Sequence, residues 1–161
     1  MSVTFKKFNQ EKDSDDFYNL ILNMTDYFED YAKEKPTIEE ALEGFIFDLP
    51  PGISKENKEV YLIYFKSELV GFVDYVYNYP KEKNVIIGYL VIHKNYRSKG
   101  IGRKALDFVI SNIKEKNVET LNLVAVKNSL AHKFWIKQNF EQVSEFNDNI
   151  YGAQVNLIKK I

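Results

Sequence analysis

Apolar residues fall at Phe17, Leu20, Ile21 and Met24, then at Tyr27, Phe28 and Tyr31. Spacings of three and four predict an amphipathic helix over 13–32. Lys35-Pro36 breaks it, because the residue before a proline avoids the helical region. Thr37, with Glu40 three residues on, forms a capping box for a second helix that runs to about 47. Pro50-Pro51-Gly52 stops that helix, and a polar loop follows to 58. Weak alternation over 3–8 reads as an edge strand. Residues 60–65 and 69–77 read as a hairpin about Lys66-Ser67-Glu68. Residues 85–92 are rich in β-branched side chains and read as a buried strand. Gly100 opens a helix with Leu106, Val109, Ile110 and Ile113 on one face, and Lys116-Asn117 ends it. A strand over 121–126 precedes a short helix, capped by Asn128, with Leu130, Ala131, Phe134 and Trp135 on one side. Residues 140–146 and 150–158 close the chain as a hairpin about Asn147-Asp148-Asn149. The order β-α-α-β-β-β-α-β-α-β-β is mixed α/β, with a strand–helix–strand crossover over 85–126. No repeat or linker interrupts it, so residues 1–161 read as a single domain.

Composition narrows the chemistry. Apolar residues make up 45% and charged residues 28%, which excludes general disorder. The absence of cysteine excludes disulfides, thiolate metal sites and a cysteine nucleophile. Two histidines far apart argue against a zinc centre, so no metal is expected. The longest apolar run, 85–92, spans eight residues and is too short to cross a bilayer. No signal-peptide pattern opens the sequence, so no membrane partner and a cytoplasmic location are the expectations. A net charge of −1 argues against nucleic acid as a partner. That charge is unevenly spread: residues 1–50 carry a balance of −7 and residues 51–161 one of +6, densest over 94–104. The asymmetry reads either as an anionic ligand on the second half and a cationic one on the first, or as solvated acidic helix faces.

The informative segment is Tyr96-Arg97-Ser98-Lys99-Gly100-Ile101-Gly102-Arg103-Lys104, between a buried strand and a helix. Glycines there let the backbone turn tightly and approach a ligand. The first N–H groups of the helix point outward and carry partial positive charge, which suits a phosphate. Arg97, Lys99, Arg103 and Lys104 add cationic side chains, and a pyrophosphate is the guest that fits. Residues 100–105 also match the dinucleotide fingerprint G-x-G-x-x-A. That motif needs a carboxylate at the end of the next strand, where this chain has Val126-Lys127-Asn128.

Arg97-Ser98-Lys99-Gly100-Ile101-Gly102 after a central strand resembles the R/Q-x-x-G-x-G/A hallmark of the GNAT N-acetyltransferase superfamily. Lys94 replaces a proline frequent in that family's lead-in. Residues 128–140, from Asn128 through Ala131, Phe134 and Trp135 to Phe140, resemble the family's second motif, N-x-x-A-x-x-F-Y-x-x-x-G-F. The resemblance covers essentially the whole chain. It implies a GNAT-like fold: a central, mostly antiparallel mixed sheet of six to seven strands flanked by about four helices.

The resemblance also implies acetyl-CoA as donor. Loop amides from Ser98 to Arg103, including those of Lys99, Gly100, Ile101 and Gly102, would hold its pyrophosphate. Backbone groups of Leu90 and Ile92 would pair with the pantetheine arm, and an amide there would stabilise the oxyanion. Asn128 and the helix that carries Trp135 would line the other side of the arm. Lys133 and Lys137 read as exposed. The implied reaction is direct attack of a primary amine on the thioester in a ternary complex. The acceptor class is a small molecule such as a polyamine, an amino sugar or an amino acid. A peptide or protein amine is the alternative, and a non-catalytic acyl-CoA-binding module is another. Many relatives pair edge or C-terminal strands, so the assembly implied is a homodimer.

An alkylammonium titrates near pH 10.4, so a base must take its proton. Asp74, on a predicted central strand, is the first candidate, ahead of Glu145 and Asp148. The family often places a proton-donating tyrosine where this chain has Trp135, whose indole is no practical acid. Tyr151 and Tyr89 are the substitute hydroxyls. A thiol titrates near about 8.5, so its anion also leaves without an acid. Asn139, in place of the motif's glycine, suits a left-handed helix cap. His93 and His132 read as solvent-exposed. Tyr27 and Tyr31, with acidic neighbours Asp26, Glu29 and Asp30, are the candidate wall of the acceptor groove.

Overall fold

A computed structural model describes residues 2–24, 26, 28 and 34–161. Among these, seven strands form one sheet in the order β1-β2-β3-β4-β5-β7-β6. They are β1 (Val3–Lys7), β2 (Lys58–Phe65), β3 (Glu68–Tyr77), β4 (Asn84–Ile92), β5 (Thr120–Val126), β6 (Glu141–Asp148) and β7 (Gly152–Lys160). Four α-helices flank it: α1 (Gln10–Leu22), α2 (Ile38–Phe45), α3 (Ile101–Lys114) and α4 (Leu130–Lys137). Every neighbouring pair is antiparallel except β4 and β5, which α3 connects in parallel. The mixed, mostly antiparallel sheet is thus the one the resemblance implies.

Strand alternation gives the sheet two apolar faces. Phe72 and Val91 face α1 and α2, where they join Phe17, Ile21, Leu42 and Phe45. Val73 and Tyr75 face the other way and join Ile101, Val109 and Ile113 of α3. β6 has no such cover, and seven of its eight residues are exposed.

Four boundaries differ from those the sequence predicts. α1 begins at Gln10, because the side chain of Asn9 accepts the N–H of Lys12. It ends at Leu22 rather than 32. The Asn23 side chain donates to the Asn19 carbonyl at 2.9 Å and closes the helix there. The apolar pattern runs on because Met24, fully buried, and Phe28 still face the core from non-helical chain. Ser129, not Asn128, caps α4: its Oγ accepts from the His132 N–H at 3.1 Å, while Asn128 takes a left-handed φ of 64°. In the last hairpin Asn147 and Asp148 belong to β6. The Asp148 carboxylate accepts from the N–H groups of Ile150 and Tyr151, which sets the turn at 149–151.

Candidate active site

β4 and β5 pair only over Asn84–Ile86 and Thr120–Asn122, so the two strands part beyond Ile86. A cleft opens between their C-terminal halves. The His93 N–H reaches β3, donating to the Val70 carbonyl at 2.7 Å. By the alternation of a strand, the main-chain groups of Leu90 and Ile92 then point away from β3 and into the cleft. The Arg97 Nε takes up the Ile92 carbonyl at 2.9 Å, which leaves Leu90 as the open position.

The strand bends where it parts. Val73 pairs with Leu90 and Tyr75 with Ile87, so Asp74 stands opposite both Gly88 and Tyr89. Two residues against one is a β-bulge, which redirects the bulged strand. Asp74 fills it: its Oδ1 accepts the Tyr89 N–H at 2.7 Å.

Each end of the cleft leads into one of the two motif segments. β4 runs through a short 3-10 turn, Lys94–Tyr96, into the loop before α3. Ser98 has a φ of 62° and Gly100 one of 80°, two left-handed residues that swing the loop across the cleft mouth. The main-chain N–H groups of residues 98–103 meet no acceptor among the described residues. Ile101, 1% exposed, anchors the helix start in the core. Lys99, Arg103 and Lys104 are exposed around it. β5 leads on the far side to Asn128 and α4. The two motifs touch: a Cβ on Gly102 would lie 3.3 Å from the Phe134 ring.

Burial dominates the electrostatics of Asp74. Its carboxyl is pushed up to about 7, chiefly by desolvation. The Lys58 ammonium, at 3.8 Å, and the Tyr89 N–H oppose that rise, and Asp48 adds to it. A carboxyl that titrates near neutrality can exchange protons at working pH.

The model of the Acetyltransferase (GNAT) family matches residues 17–140, which include the loop, the bulge and the start of α4. This chain belongs to the GNAT family. Its fold is that of solved GNAT structures at low identity. An acetyltransferase from Thermus thermophilus has a TM-score of 0.80 at 19% identity, over 100% of this chain and 98% of that one. An aminoglycoside acetyltransferase in complex with coenzyme A has 0.74 at 17%, over 99% and 95%. The ribosomal alpha-N-protein acetyltransferase RimL, also in complex with coenzyme A, has 0.80 at 14%, over 100% and 95%. No curated protein matches the sequence.

On this GNAT scaffold the candidate residues separate. Asp74, Tyr89, Leu90 and Ile92 gather at the bulge, and Arg97 through Arg103 lie at the cleft mouth. The Tyr89 ring packs against Phe28, Phe45 and Phe72, at centroid distances of 6.3, 5.0 and 5.9 Å. Arg97 Nη1 pairs with Asp26 at 2.9 Å, so this motif arginine ties the loop to the chain beyond α1. Trp135 is 6% exposed and stands edge-on between Phe134 and Phe140. Tyr151 is 63% exposed in the β6–β7 turn. That turn lies at the cleft end of the sheet, since the Lys127 N–H bonds the Ala153 carbonyl.

The weaker carboxylates are engaged elsewhere. Glu145 pairs with Lys127 at 2.8 Å, and Asp148 holds its turn. His93 and His132 are half-buried rather than exposed. Each accepts a main-chain N–H at Nδ1, from Asn95 and Asn128 respectively. Tyr27, Tyr31, Glu29 and Asp30 lie outside the described residues. Lys58 and Gly88 both lie against the Asp74 carboxylate, and neither is singled out in the sequence analysis. A lone glycine inside a strand pattern is a bulge signal and marks Gly88. Nothing local marks Lys58.

Proposed function

We propose that this GNAT protein transfers the acetyl group of acetyl-CoA to the primary amine of a small molecule. The acceptor class is a polyamine, an amino sugar or an amino acid, and the amine attacks directly in a ternary complex. Residues 1–161 act as one N-acetyltransferase domain. The carrying observation is the set of unmatched N–H groups over 98–103 at the mouth of the β4–β5 cleft. Successive main-chain donors with helix-start polarity fit a diphosphate. The open edge of Leu90 fits the amide-bearing arm of the same molecule, and Asn128 and Trp135 flank the arm's other side. Acetyl-CoA supplies an acetyl group activated as a thioester.

The chain's residues supply the rest. The loop amides, helped by Lys99 and Arg103, hold and orient the donor. Asp74 receives the proton that the acceptor amine gives up, and the Tyr89 N–H fixes its carboxylate. The excess of acidic residues over 1–50 favours a cationic acceptor. Tyr89 and Tyr151 are the candidate hydroxyls to protonate the departing thiolate. We further propose a homodimer, on the resemblance alone.

The test is thiol release with acetyl-CoA and a panel of polyamines, amino sugars, amino acids and N-terminal peptides, beside calorimetry of acetyl-CoA binding. Turnover on a small amine is expected. Turnover on peptides alone moves the acceptor to a protein amine. Tight binding with no turnover on any amine leaves an acyl-CoA-binding module.

A further inference from the structure

Lys58 belongs to neither motif, yet its side chain is only 5% exposed and its ammonium sits beside Asp74. All three of its hydrogens have acceptors on the chain leaving α2. It donates to the Phe45 carbonyl at 3.3 Å, the Asp48 carbonyl at 2.7 Å and the Asp48 carboxylate at 2.5 Å. At 3.8 Å it faces Asp74 Oδ2 as a charge, with no hydrogen left to give. Asp74 Oδ1 is already taken by the Tyr89 N–H, and Oδ2 receives no hydrogen bond among the described residues. A buried lysine fully satisfied by Phe45 and Asp48, and set beside a second carboxylate without bonding it, holds a field there and leaves an oxygen open.

We propose that Lys58 is a positioning residue for acetyl transfer: anchored by the exit of α2, it keeps Asp74 ionised in the buried bulge and leaves Oδ2 free for the proton of the acceptor. The inference rests on the reading of Asp74 as the base. In the step concerned, one N–H bond of the acceptor breaks and one O–H bond forms on Oδ2. The electron pair stays on nitrogen, and the proton leaves later to solvent. The charged and titratable groups that meet Asp74 among the described residues are Lys58 on β2, Asp48 after α2 and Tyr89 on β4. Lysine favours the ionised carboxylate and Asp48 opposes it. The same three bonds hold the end of α2 against β2, so a purely structural role is the rival.

Two readouts separate them. The first is the acidic limb of the kcat/KM profile, with acetyl-CoA and whichever of spermidine, glucosamine or lysine turns over fastest. The second needs no turnover: the upper midpoint, the pH at which the stability gap between each protein and its own Asp74→Asn version stops growing, free of acetyl-CoA. Lys58→Met is expected to move both midpoints up by about one pH unit, and Lys58→Arg to restore most of that. Asp48→Asn removes the opposing carboxylate and is expected to move both midpoints down. It serves even where Lys58→Met does not fold. A folded Lys58→Met with unmoved midpoints makes Lys58 a strut and overturns the proposal, as does Asp48→Asn moving them up or not at all. Asp74→Asn with a wild-type rate and an intact limb overturns instead the reading of Asp74 as the base.

Discussion

The carboxylate of Asp74 occupies the space that a side chain at Gly88 would need. A Cβ on Gly88 would lie 2.5 Å from Oδ2 and 2.9 Å from Oδ1. Real carbon atoms do not approach so closely, so either the carboxylate or the bulge must move. Gly88→Ala is therefore expected to retain the fold at a cost of roughly 1–3 kcal/mol, the usual penalty of overpacking. It is also expected to lower kcat at least tenfold, because the displaced carboxylate loses the Tyr89 N–H that fixes it as the proposed proton acceptor. Steady-state kinetics and thermal unfolding check this. A wild-type kcat would remove the bulge carboxylate from the chemistry.

Asp74 also fixes a sign for stability against pH. Its carboxyl is raised to about 7 in the fold, far above a free aspartate. The folded state thus holds the proton more tightly than the unfolded chain. Below about pH 4 both states are protonated and nothing is lost. From there to about 7, stability falls as pH rises, and above 7 the full loss stands. At about 1.36 kcal/mol per pH unit, the loss approaches about 4 kcal/mol. Asp74→Asn, which cannot ionise, is expected to gain on the wild type across that window and to hold a constant lead above it. Thermal or urea unfolding between pH 4 and 8.5 reads the difference. A lead that shrinks with rising pH contradicts the sign.

Gly102 is the point where the two motifs meet, since a Cβ there would press on the Phe134 ring at 3.3 Å. Gly102→Val adds branches that crowd both the ring and the row of amides over 98–103. Losing one or two hydrogen bonds to a charged group, each worth about 1.5–3 kcal/mol, predicts a Kd for acetyl-CoA at least tenfold higher. Calorimetry on the folded variant decides it. An unchanged Kd places the diphosphate elsewhere.

The parts legible in the sequence are those whose signal is local. The loop over 97–103 announces itself because glycine, cationic side chains and a helix start coincide within a few residues. The Thr37–Glu40 capping box is read correctly for the same reason. Errors arise where side chains act across turns. Asn23 ends α1 while apolar residues continue its periodicity, because Met24 keeps facing the core without being helical. The histidines look like surface residues until each is seen accepting a main-chain N–H. Asp74 could be named as a candidate from its strand. Its burial, its bulge and its neighbour Lys58 depend on the register of β2, β3 and β4, which no spacing reveals.

Trp135 raises a separate question, because it stands at the motif position where the GNAT resemblance implies a proton-donating tyrosine. Its ring is held edge-on by Phe134 and Phe140 at 5.0 and 5.1 Å, and the residue is 6% exposed. Among the described residues no fully buried side-chain nitrogen or oxygen lacks a partner. The indole N–H has no acceptor there, so its edge is the part of the ring that reaches the surface. It can donate one hydrogen bond to the donor's arm and cannot give up a proton. Trp135→Phe keeps most of the packing and is expected to raise the Kd for acetyl-CoA by about two- to tenfold, the worth of one ordinary hydrogen bond. The same variant is expected to leave kcat within about threefold, since a thiolate of pKa near 8.5 leaves unaided. Trp135→Ala empties the core and is expected to cost about 3–5 kcal/mol of stability. A hundredfold fall in kcat for a well-folded Trp135→Phe, with binding intact, would mean that the indole acts on the reacting atoms and that packing is the lesser of its roles.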